Sequence, residues 1–415
     1  MKLVWLSHLI PFPPRGGSRQ RTYNLVRQAS RHYEICLVAL NLLGEGKERV
    51  DEYQVKLRQH CAEVVVWGTP FLWKGVRWWA QLALSPLYRH HYAARSLWSP
   101  QLDAKWRDML ARYAGALVHL ETIDLALYFP AVREFLRVLD HQNCESAMAE
   151  RRAETETNPL KKAYLSDQAR KILRLEQHWC PRVDINLAVS NLDAARLQSR
   201  CPGAHFHVVE NGTDPDYFAP SDVSVEPQTL VFAGDLSWYP NVSAIRFFVR
   251  EIWPQLRKEV LGIRIYVVGR RPTPEIARLA ERQAGIVLVP DPEDIRPWVA
   301  RAAVFVCPII DGGGTRLKIL DALAMGIPVV TTSIGCEGLS VNHGEHVLVA
   351  DTAQDFARQV IRALRDNSLR ALLSARARAL AEEHYSWGIV GRQLIQAYDH
   401  VRGPQKSKAG TDASH

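Results

Sequence analysis

Glycines and charged side chains are concentrated within residues 309–332, which read IIDGGGTRLKILDALAMGIPVVTT. Gly312, Gly313 and Gly314 follow the apolar run AVFVCP and precede the helix-like run TRLKILDALAM. A glycine loop at the start of a helix exposes backbone N–H groups and the positive end of the helix dipole, and both suit a phosphate. The loop 312–315, which ends at Thr315, is therefore a candidate phosphate cradle.

Two cations and a carboxylate follow this loop. Arg316 and Lys318 can neutralise phosphate, and Asp321 can accept hydrogen bonds from a vicinal diol such as a ribose. Lys318 and Asp321 are three positions apart and so share a helix face. The alternative is a glycine turn followed by a surface Lys–Asp pair, which contributes only about a few tenths of a kcal/mol. The spacing alone leaves both interpretations open.

A second glycine pair lies near the N-terminus, in HLIPFPPRGGSRQRTYNL. Gly16 and Gly17 stand between prolines and a helix-like run that carries Arg19 and Arg21. Gly17 would let a substrate approach the backbone, and Arg19 would add a cation to this candidate acceptor or phosphate loop. The alternative is a turn followed by an exposed basic helix.

The run LDHQNCES places polar side chains directly after a strand-like segment. His141 is the candidate to donate a hydrogen bond to a sugar hydroxyl or to a developing charge. The alternative is a histidine with a structural role. Asp214 and Asp216 form a DPD triplet that has no strand before it, so a turn and no metal site are predicted.

Residues 67–98 combine aromatic and cationic side chains. The segment contains Trp67, Trp73, Trp78, Trp79, Trp98, Lys74, Arg77 and Arg89. This combination is typical of a membrane interface or of a site for a lipid-linked ligand, so peripheral membrane contact is predicted here. The alternative is a packed helical insertion.

Short β-branched runs alternate with helical stretches along the chain and must position these residues. The runs are KLVWL, EICLVAL, EVVVW, ALVHL, FLRVLD and INLAVS in the first half, and TLVFAG, IRIYVVG, IVLV, AVFVCP, PVVTT and HVLVA in the second. This alternation predicts parallel sheets that are covered on both faces. The 415 residues exceed one ordinary core. The predicted fold is α/β, with two Rossmann-like doubly wound domains that face each other across a cleft.

A stretch rich in Pro, Gly, Asp and Asn predicts the boundary between these domains. An N-terminal domain at 1–200, a linker at 201–228, a C-terminal domain at 229–385 and a disordered tail at 403–415 are expected. Ligands of doubly wound folds bind outside the carboxyl ends of the strands. The cleft is therefore the predicted site.

Composition narrows the class of partner. The net charge of +8 and the pI near 9.1 suit an anionic partner. No recognised nucleic-acid module occurs, so no nucleic acid is expected. The sequence contains no run of eighteen apolar residues, so no membrane-spanning helix is predicted. The seven scattered cysteines lack metal spacing and favour free thiols in a reducing cytoplasm. A cytoplasmic location is predicted, with a place at the inner face of the membrane as the further expectation.

Several ordered motifs resemble the family 4 glycosyltransferases of the GT-B fold. They are PFPPRGG, ENGTDPDYFAP, FAGDLSWYPN, YVVGRRP and GGGTRLKILDALAMGIPVVTTSIGCEGL, and the resemblance runs from about residue 2 to about residue 400. The most similar type is the bacterial exopolysaccharide or cell-surface sugar transferase. The resemblance implies metal-independent transfer, with retention of configuration, from a nucleotide-sugar donor to a glycan or lipid-linked acceptor. No cofactor is implied, because the nucleotide-sugar is a substrate.

The resemblance also assigns roles to positions. Asp321 matches the carboxylate that holds the donor ribose, and Gly312–Thr315 matches the diphosphate cradle. His141, or Gln142 one residue later, matches the residue that contacts the transferred sugar, and Gly17 matches the first-loop glycine. The residues HYSW resemble the point where a last helix, at 386–402, crosses back to the first domain.

The chain departs from the family pattern at the donor site. Of the two glutamates that many members carry, the first is Gly313 here and the second is Asp321. The usual cations of the first C-domain loop are absent, so Arg316 and Lys318 are expected to replace them. No side chain is evidently placed as a base, so the donor phosphate is expected to take the acceptor proton. A catalytically idle nucleotide or glycan binder and a nucleotide-sugar epimerase remain the alternatives.

Overall fold

Two parallel β-sheets form the framework of the protein, for which a computed structural model describes residues 1–69 and 76–402. Within these residues the first sheet has seven strands in the order β3-β2-β1-β4-β5-β6-β7. The strands are β1 at Lys2–Ser7, β2 at Glu34–Asn41, β3 at Glu63–Gly68, β4 at Leu117–Glu121, β5 at Leu136–His141, β6 at Ile185–Ala188 and β7 at Phe206–Val208.

The second sheet contains, in the described part of the chain, six strands in the order β10-β9-β8-β11-β12-β13. The strands are β8 at Glu226–Asp235, β9 at Arg264–Arg270, β10 at Ile286–Pro290, β11 at Ala302–Cys307, β12 at Val329–Thr331 and β13 at Leu348–Val349. Every run that the sequence predicts as a strand forms one. The α/β fold class with two doubly wound sheets is therefore confirmed.

The helices lie between the strands and cover the sheets. Those of the first part of the chain are α1 at Gly17–Ala29, α2 at Lys47–Leu57, α3 at Val76–Leu84, α4 at Tyr92–Leu97, α5 at Pro100–Ala111, α6 at Glu145–Thr155, α7 at Pro159–Trp179 and α8 at Asn191–Arg200. Those of the second part are α9 at Tyr239–Phe247, α10 at Trp253–Glu259, α11 at Pro274–Arg282, α12 at Arg296–Arg301, α13 at Leu317–Ala324, α14 at Ala353–Arg365, α15 at Asn367–Glu383 and α16 at Trp387–Arg402.

The central strands are apolar along their whole length because helices cover both faces of the sheet. In β1, for example, Leu3, Trp5 and Leu6 are completely buried. Leu3 lies between Ile35 of β2 and Leu117 of β4 in the parallel register. A period-two alternation is therefore absent from these runs, as the sequence indicated.

The connection between the sheets is shorter than the predicted linker at 201–228. β7 lies inside that stretch and pairs with β6, and β8 begins before the stretch ends. The strand-free connection runs from 209 to 225. The predicted tail at 403–415 and residues 70–75 of the tryptophan-rich segment lie outside the described residues.

The chain returns to the first sheet at its end. Thr213 donates its backbone N–H to Tyr385 and accepts one from Trp387, at 2.8 and 3.1 Å, so the outgoing and returning segments lie side by side. Helix α16 packs against α1, and Leu394 and Tyr398 join the apolar core of the first sheet. The last helix therefore belongs to the N-terminal domain by packing.

Each sheet reverses its strand order at one place. The reversal falls between β1 and β4 in the first sheet and between β8 and β11 in the second. Such switch points open a crevice at the carboxyl ends of the strands, where ligands of doubly wound folds bind. Arg270 of the second sheet donates to the carbonyl of Arg15, at 2.9 Å, so the carboxyl edges of the two sheets meet.

Candidate functional site

The glycine loop follows β11, at the switch point of the second sheet. Gly312 and Gly314 have φ angles of +103° and +69°, which non-glycine residues rarely adopt. Arg151 of α6 donates to the Gly312 carbonyl at 2.6 Å. The Arg316 guanidinium donates to the carbonyl oxygens of Gly313 and Gly314. Two arginines therefore hold the three glycine carbonyls.

The N–H groups of the same loop are available to a ligand. Gly312 donates its N–H to Asp311 Oδ1 at 2.6 Å. The N–H groups of Gly313, Gly314 and Thr315 have no acceptor among residues 1–69 and 76–402. Helix α13 begins directly after them, and no side chain caps its N-terminus. Free N–H groups and a helix dipole at one place form the cradle that a phosphate requires.

Two cations lie beside this cradle. Lys318 Nζ donates to Asn241 Oδ1 at 2.7 Å and lies 4.2 Å from the centroid of the Phe232 ring. Burial, together with the positive charge of Arg316, lowers the pKa of Lys318 to about 8. Burial also lowers the pKa of Arg316, whose Nη2 has no hydrogen-bond partner in the described part of the chain. Buried cations with unmet donors favour an anionic ligand.

Lys318 reaches the carboxyl end of β8, where the loop to α9 begins. A Cβ atom at Gly234 would lie 2.6 Å from Lys318 Nζ. Lys318, which follows β11 in the chain, therefore extends to the start of the first loop of the C-terminal domain. This loop is where the family pattern has its cations. This position supports the expectation that Lys318 acts as a replacement.

Asp321 is buried at the point where both domains and the connection meet. Thr213 donates to Asp321 Oδ1 at 2.9 Å, and Gln20 of α1 lies 3.4 Å from Oδ2. Burial raises the pKa of Asp321 to about 7. Asp321 is buried, Lys318 is partly buried, and the two bond to different partners, so the alternative of a surface Lys–Asp pair is wrong.

The N-terminal end of α6 covers the glycine loop. A Cβ atom at Gly314 would lie 1.9 Å from Asn143 Oδ1, and one at Gly313 would lie 3.1 Å from Met148 Cβ. Position 313 is where the family pattern has its first glutamate, and Met148 leaves little room for a side chain there. The glycine at position 313, in place of the family's glutamate, is therefore consistent with the close packing around it.

The ring of His141 makes its contacts inside the first domain. Its ring is 1% exposed, with Nε2 at 3.3 Å from Asn186 Oδ1 and 3.6 Å from Cys180 Sγ. Burial lowers the pKa of His141 to about 4. The structure brings Gln142 and Asn143, rather than the His141 ring, against Gly314. A role of His141 in sugar contact stays a prediction that these contacts do not favour.

The N-terminal glycine pair lies against the donor-side helix, but its arginines do not. A Cβ atom at Gly17 would lie 3.8 Å from Leu317 Cδ1. Gly16 has a φ of +94° and precedes α1. Arg19 pairs with Glu45 at 3.4 Å, within the first domain, and its role at the loop stays a prediction.

Arg21 is buried, and its guanidinium donates to both oxygens of Asp140, at 2.7 and 3.0 Å. The alternative of an exposed basic helix is therefore wrong. Its Nη1 also donates to Asn211 Oδ1 at 3.1 Å, and Asn211 donates to Thr315 Oγ1 at 2.6 Å. A polar chain thus connects the core of the first domain to the glycine loop.

Metal ligation has no support in the residues that the structure describes. No group of three or more His, Cys, Asp or Glu side chains there could hold a metal ion. Asp214 Oδ1 accepts the backbone N–H groups of Asp216 and Tyr217 at 3.2 and 3.1 Å, which is a turn.

Some site residues were missed by the sequence reasoning. Tyr239 lies at the start of α9, and burial raises its pKa to about 12, with the charge of Asp311 adding to the effect. The Arg152 guanidinium lies 4.3 Å from the centroid of the Tyr239 ring. The position of Tyr239 after β8 was the available signal. Arg151, and a His8–Glu121 pair at the ends of β1 and β4, were also missed.

The second domain matches a known family. Residues 227–366 match the family model described as Glycosyl transferases group 1. An uncharacterised 44.6 kDa protein in the cps region of Klebsiella pneumoniae is 26% identical over 38% of this chain and 42% of its own length. A phosphatidyl-myo-inositol mannosyltransferase of Mycobacterium leprae is 25% identical over 54% of this chain and 61% of its own length. The matches thus span less than two thirds of these curated relatives.

Solved structures match along almost the whole chain. Sucrose-phosphate synthase from Thermosynechococcus elongatus superposes with a TM-score of 0.73 at 14% identity, over 97% of this chain and 99% of that chain. Anabaena HepE in complex with UDP gives 0.65 at 14% identity, over 96% and 99%. The fold is GT-B. Together with the family match, this supports the predicted resemblance to the family 4 glycosyltransferases, with a group 1 domain at residues 227–366.

Proposed function

We propose that the protein transfers a sugar from a nucleotide-sugar donor to a hydroxyl group of a glycan or lipid-linked acceptor. The transfer proceeds with retention of configuration and without a metal, in bacterial exopolysaccharide or cell-surface polysaccharide synthesis. The observation that carries this proposal is the glycine loop at 312–315, whose free N–H groups lie beside the partly buried Arg316 and Lys318. Such a site suits a diphosphate.

The donor fits the loop by its chemistry. The diphosphate occupies the cradle, and Asp321 accepts hydrogen bonds from the ribose, because its oxygens keep lone pairs beyond those used by Thr213 and Gln20. The solved structures that share the fold include complexes of HepE with UDP and with UDP-glucose. The curated relatives include mannosyltransferases. Both observations support a nucleotide-sugar donor.

The barrier is cleavage of the bond between the anomeric carbon and the phosphate oxygen. Negative charge develops on the leaving diphosphate while the sugar ring gains oxocarbenium character. Arg316, Lys318 and the loop N–H groups are fixed donors around that charge, so they stabilise the transition state without reorganisation.

Release of nucleoside diphosphate by the pure protein tests this function. UDP-, GDP- and ADP-sugars are each supplied with an acceptor extract, and the anomeric configuration of the product is determined by NMR. Product formed with one donor and with retained configuration supports the proposal. Donor binding without turnover would favour the idle binder. A changed donor sugar without transfer would favour the epimerase.

Membrane contact is a separate part of the proposal. In the described part of residues 67–98, Trp79 and Leu87 are 62% and 80% exposed. Leu87 belongs to a turn that packs against α7, where Lys171 Nζ donates to the Ser85 carbonyl at 3.0 Å. Leu160, at the start of α7, is 83% exposed and is followed by two exposed lysines. Apolar side chains next to cations suit an anionic membrane surface.

Co-sedimentation with liposomes that contain anionic lipid tests this contact. Binding should weaken with salt, because the Debye length shortens, and should fall in a Trp79→Ser/Leu87→Ser variant. Leu261→Ser, at another exposed leucine (92%), is the matched control. Full recovery of the wild type in the supernatant at low salt would remove the membrane proposal. None of the helices in residues 1–69 and 76–402 is long and apolar enough to span a bilayer.

A further inference from the structure

Four arginines from the two domains meet at the edge of the cleft. Arg15 lies in the loop between β1 and α1, and Arg19 lies in the first turn of α1. Arg270 is the last residue of β9, and Arg271 directly follows it. Arg270 Nη2 donates to the Arg15 carbonyl at 2.9 Å, and a Cβ atom at Gly16 would lie 3.0 Å from the same nitrogen. These four side chains are called the arginine cluster below.

The arginine cluster carries more positive charge than its carboxylate partners neutralise. Arg271 pairs with Asp235, and Arg19 pairs with Glu45 at 3.4 Å. The other two arginines have no carboxylate within ion-pair distance in the part of the chain that the structure describes. Four guanidinium groups therefore face two carboxylates, and two positive charges remain without a partner.

The unneutralised charge is partly removed from water. Arg270 is partly buried, and burial lowers its pKa, with the charges of the other three arginines adding to the effect and that of Asp235 opposing it. The charge of Arg15 also acts on Asp294, but this carboxylate already pairs with Arg296 at 2.7 Å. An anion that enters such a cluster supplies both the missing charge and hydrogen-bond acceptors, so its binding is favoured.

The arginine cluster borders the phosphate cradle but uses different cations. A Cβ atom at Gly17 would lie 3.8 Å from Leu317 Cδ1, at the first residue of α13. Asp235, which pairs with the cluster, also acts electrostatically on Lys318. The two phosphates of a donor have the cradle with Arg316 and Lys318. The cluster is therefore available for a further anion, and two of its four arginines belong to the first domain.

We propose that the arginine cluster binds an anionic group, a phosphate or a carboxylate, that the acceptor carries in addition to the hydroxyl group that receives the sugar. This inference rests on the proposed transferase function and names the substrate class on its acceptor side. Guanidinium groups suit both anions, because their planar forks donate two parallel hydrogen bonds. A glycan joined to a lipid through phosphate would supply the first anion, and a glycan that contains an acidic sugar would supply the second.

Binding of inorganic pyrophosphate to the full chain, saturated with the nucleoside diphosphate that it binds, is the first test. The nucleotide fills the cradle, so isothermal titration reports a second anion site. Arg270→Gln should weaken pyrophosphate binding about 10- to 100-fold, because it removes a charge-assisted donor. Arg15→Gln should weaken it about tenfold or less, because Arg15 is exposed and solvent screens its charge.

Arg15→Gln also guards against a folding defect. Its backbone carbonyl, which accepts from Arg270, is unchanged, so the contact between the domains stays. Both variants should bind the nucleoside diphosphate as the wild type does. Arg257→Gln is the matched control, because Arg257 is exposed and lies in the last turn of α10, before β9 and so at the opposite edge of the sheet. No pyrophosphate binding beside the nucleotide, or equal binding by the wild type and both cluster variants, would overturn the inference.

Competition distinguishes the two sources of the anion. Glycerol 3-phosphate and glucuronate are each titrated against bound pyrophosphate at matched ionic strength. Displacement by the phosphate ester assigns the site to a phosphate of the acceptor, and displacement by glucuronate assigns it to a carboxylate, so either result supports the inference. Displacement by neither compound would overturn the assignment to the acceptor.

Steady-state kinetics separate the acceptor from the donor. Arg270→Gln should raise the KM of an anionic acceptor and leave the donor KM near the wild-type value. A rise in donor KM alone would assign the arginine cluster to the donor and overturn the inference. If the wild type binds no nucleoside diphosphate, the proposed function and this inference both fail. If it binds the nucleotide but no pyrophosphate beside it, only this inference fails.

Discussion

The central feature at the residue scale is a pair of partly buried cations that have no carboxylate partner. Arg316 and Lys318 bond to carbonyl and amide oxygens, not to carboxylates, and burial lowers the pKa of both. Such an arrangement costs stability in the free protein and favours the bound anion. A site of this kind is typical of a binding or catalytic site, which lowers the stability of the fold in order to bind its ligand.

Removal of either cation should therefore affect turnover more than stability. Arg316→Gln and Lys318→Met should each lower kcat by about 10²–10³, because each removes one preorganised donor to the leaving diphosphate. Their free energies of unfolding should stay near the wild-type value or rise. Initial rates and urea denaturation measure the two quantities, and Lys162→Met, at an exposed lysine, is the control. Near-normal turnover in both variants would rule out the assignment.

The raised pKa of Asp321 predicts how the stability of the fold changes with pH. Its pKa is raised in the folded state, from an ordinary 3.8 to about 7, so folding favours the protonated form. The stabilisation from this proton is complete below about pH 4 and is lost as the pH rises to about 7. Above that range the ionised group costs on the order of 2–4 kcal/mol.

Asp321→Asn should remove this cost. The variant should be more stable than the wild type at pH 8 and similar to it at pH 4, when both are measured by urea denaturation without donor. Its donor-induced thermal shift should be smaller, because the amide has one acceptor oxygen instead of two and carries no charge to strengthen the hydrogen bonds from the ribose. Asp222→Asn, at an exposed aspartate, should change neither quantity. A donor-induced shift of wild-type size in Asp321→Asn would contradict the ribose role.

The glycine loop and its helix are the functional element. The loop shape depends on positive φ angles, and the N-terminal end of α6 packs directly on it. Side chains larger than hydrogen therefore meet both a backbone and a packing constraint.

Gly314→Ala should weaken donor binding. The φ of +69° costs an alanine about 1–2 kcal/mol, and the new Cβ atom would meet Asn143 Oδ1. The same change in an Asn143→Ala background keeps the backbone strain and removes the clash. Gly46→Ala, where φ is −66° and no atom lies within 4 Å, is the control. Isothermal titration with nucleoside diphosphate measures the effect, and wild-type affinity in Gly314→Ala would count against the cradle.

The strands and the phosphate loop could be predicted because each is continuous in sequence. β7 was missed because its three residues, Phe206–Val208, lie among turn formers. His141 follows a strand at the correct edge, but adjacent residues of a strand point to opposite faces. Asp140 accordingly contacts Arg21, while His141 contacts Asn186. Which of these two side chains points toward the site depends on how β5 pairs with its neighbouring strands and in which register.

Residues that meet across separate elements could not be predicted. His8 and Glu121 are far apart in sequence and meet because β1 and β4 are neighbours in the sheet. Arg151 reaches the Gly312 carbonyl across the two domains. A single sequence shows how residues are spaced within one helix or strand, but it does not show which helices and strands pack against each other.

At the scale of the whole molecule, an interdomain clasp joins the two domains. Glu337 of the second domain accepts from Arg151 at 3.1 Å and also pairs with Arg196, both of the first domain. Arg151 reaches the glycine loop at the same time. Domain closure and the shape of the phosphate cradle are therefore linked through one side chain.

Opening this clasp should weaken donor binding more than it slows catalysis. Glu337→Gln removes the negative charge from two ion pairs. Because the partners Arg151 and Arg196 are partly exposed, solvent weakens these ion pairs, and we expect an increase of about tenfold in donor KM. The kcat should change less. Glu259→Gln, at an exposed pair with Arg365, is the control. Steady-state kinetics at two salt concentrations provide the test, and an unchanged donor KM would show that the clasp is not linked to the cradle.

Nucleoside diphosphate release by the pure protein, measured across UDP-, GDP- and ADP-sugars in parallel with Arg316→Gln and Lys318→Met, tests the central claim most directly. We predict acceptor-dependent release with one donor class and a loss of about 10²–10³ in each variant. No release with any donor, or equal release by the variants and the wild type, would contradict a glycosyltransferase that acts through this loop.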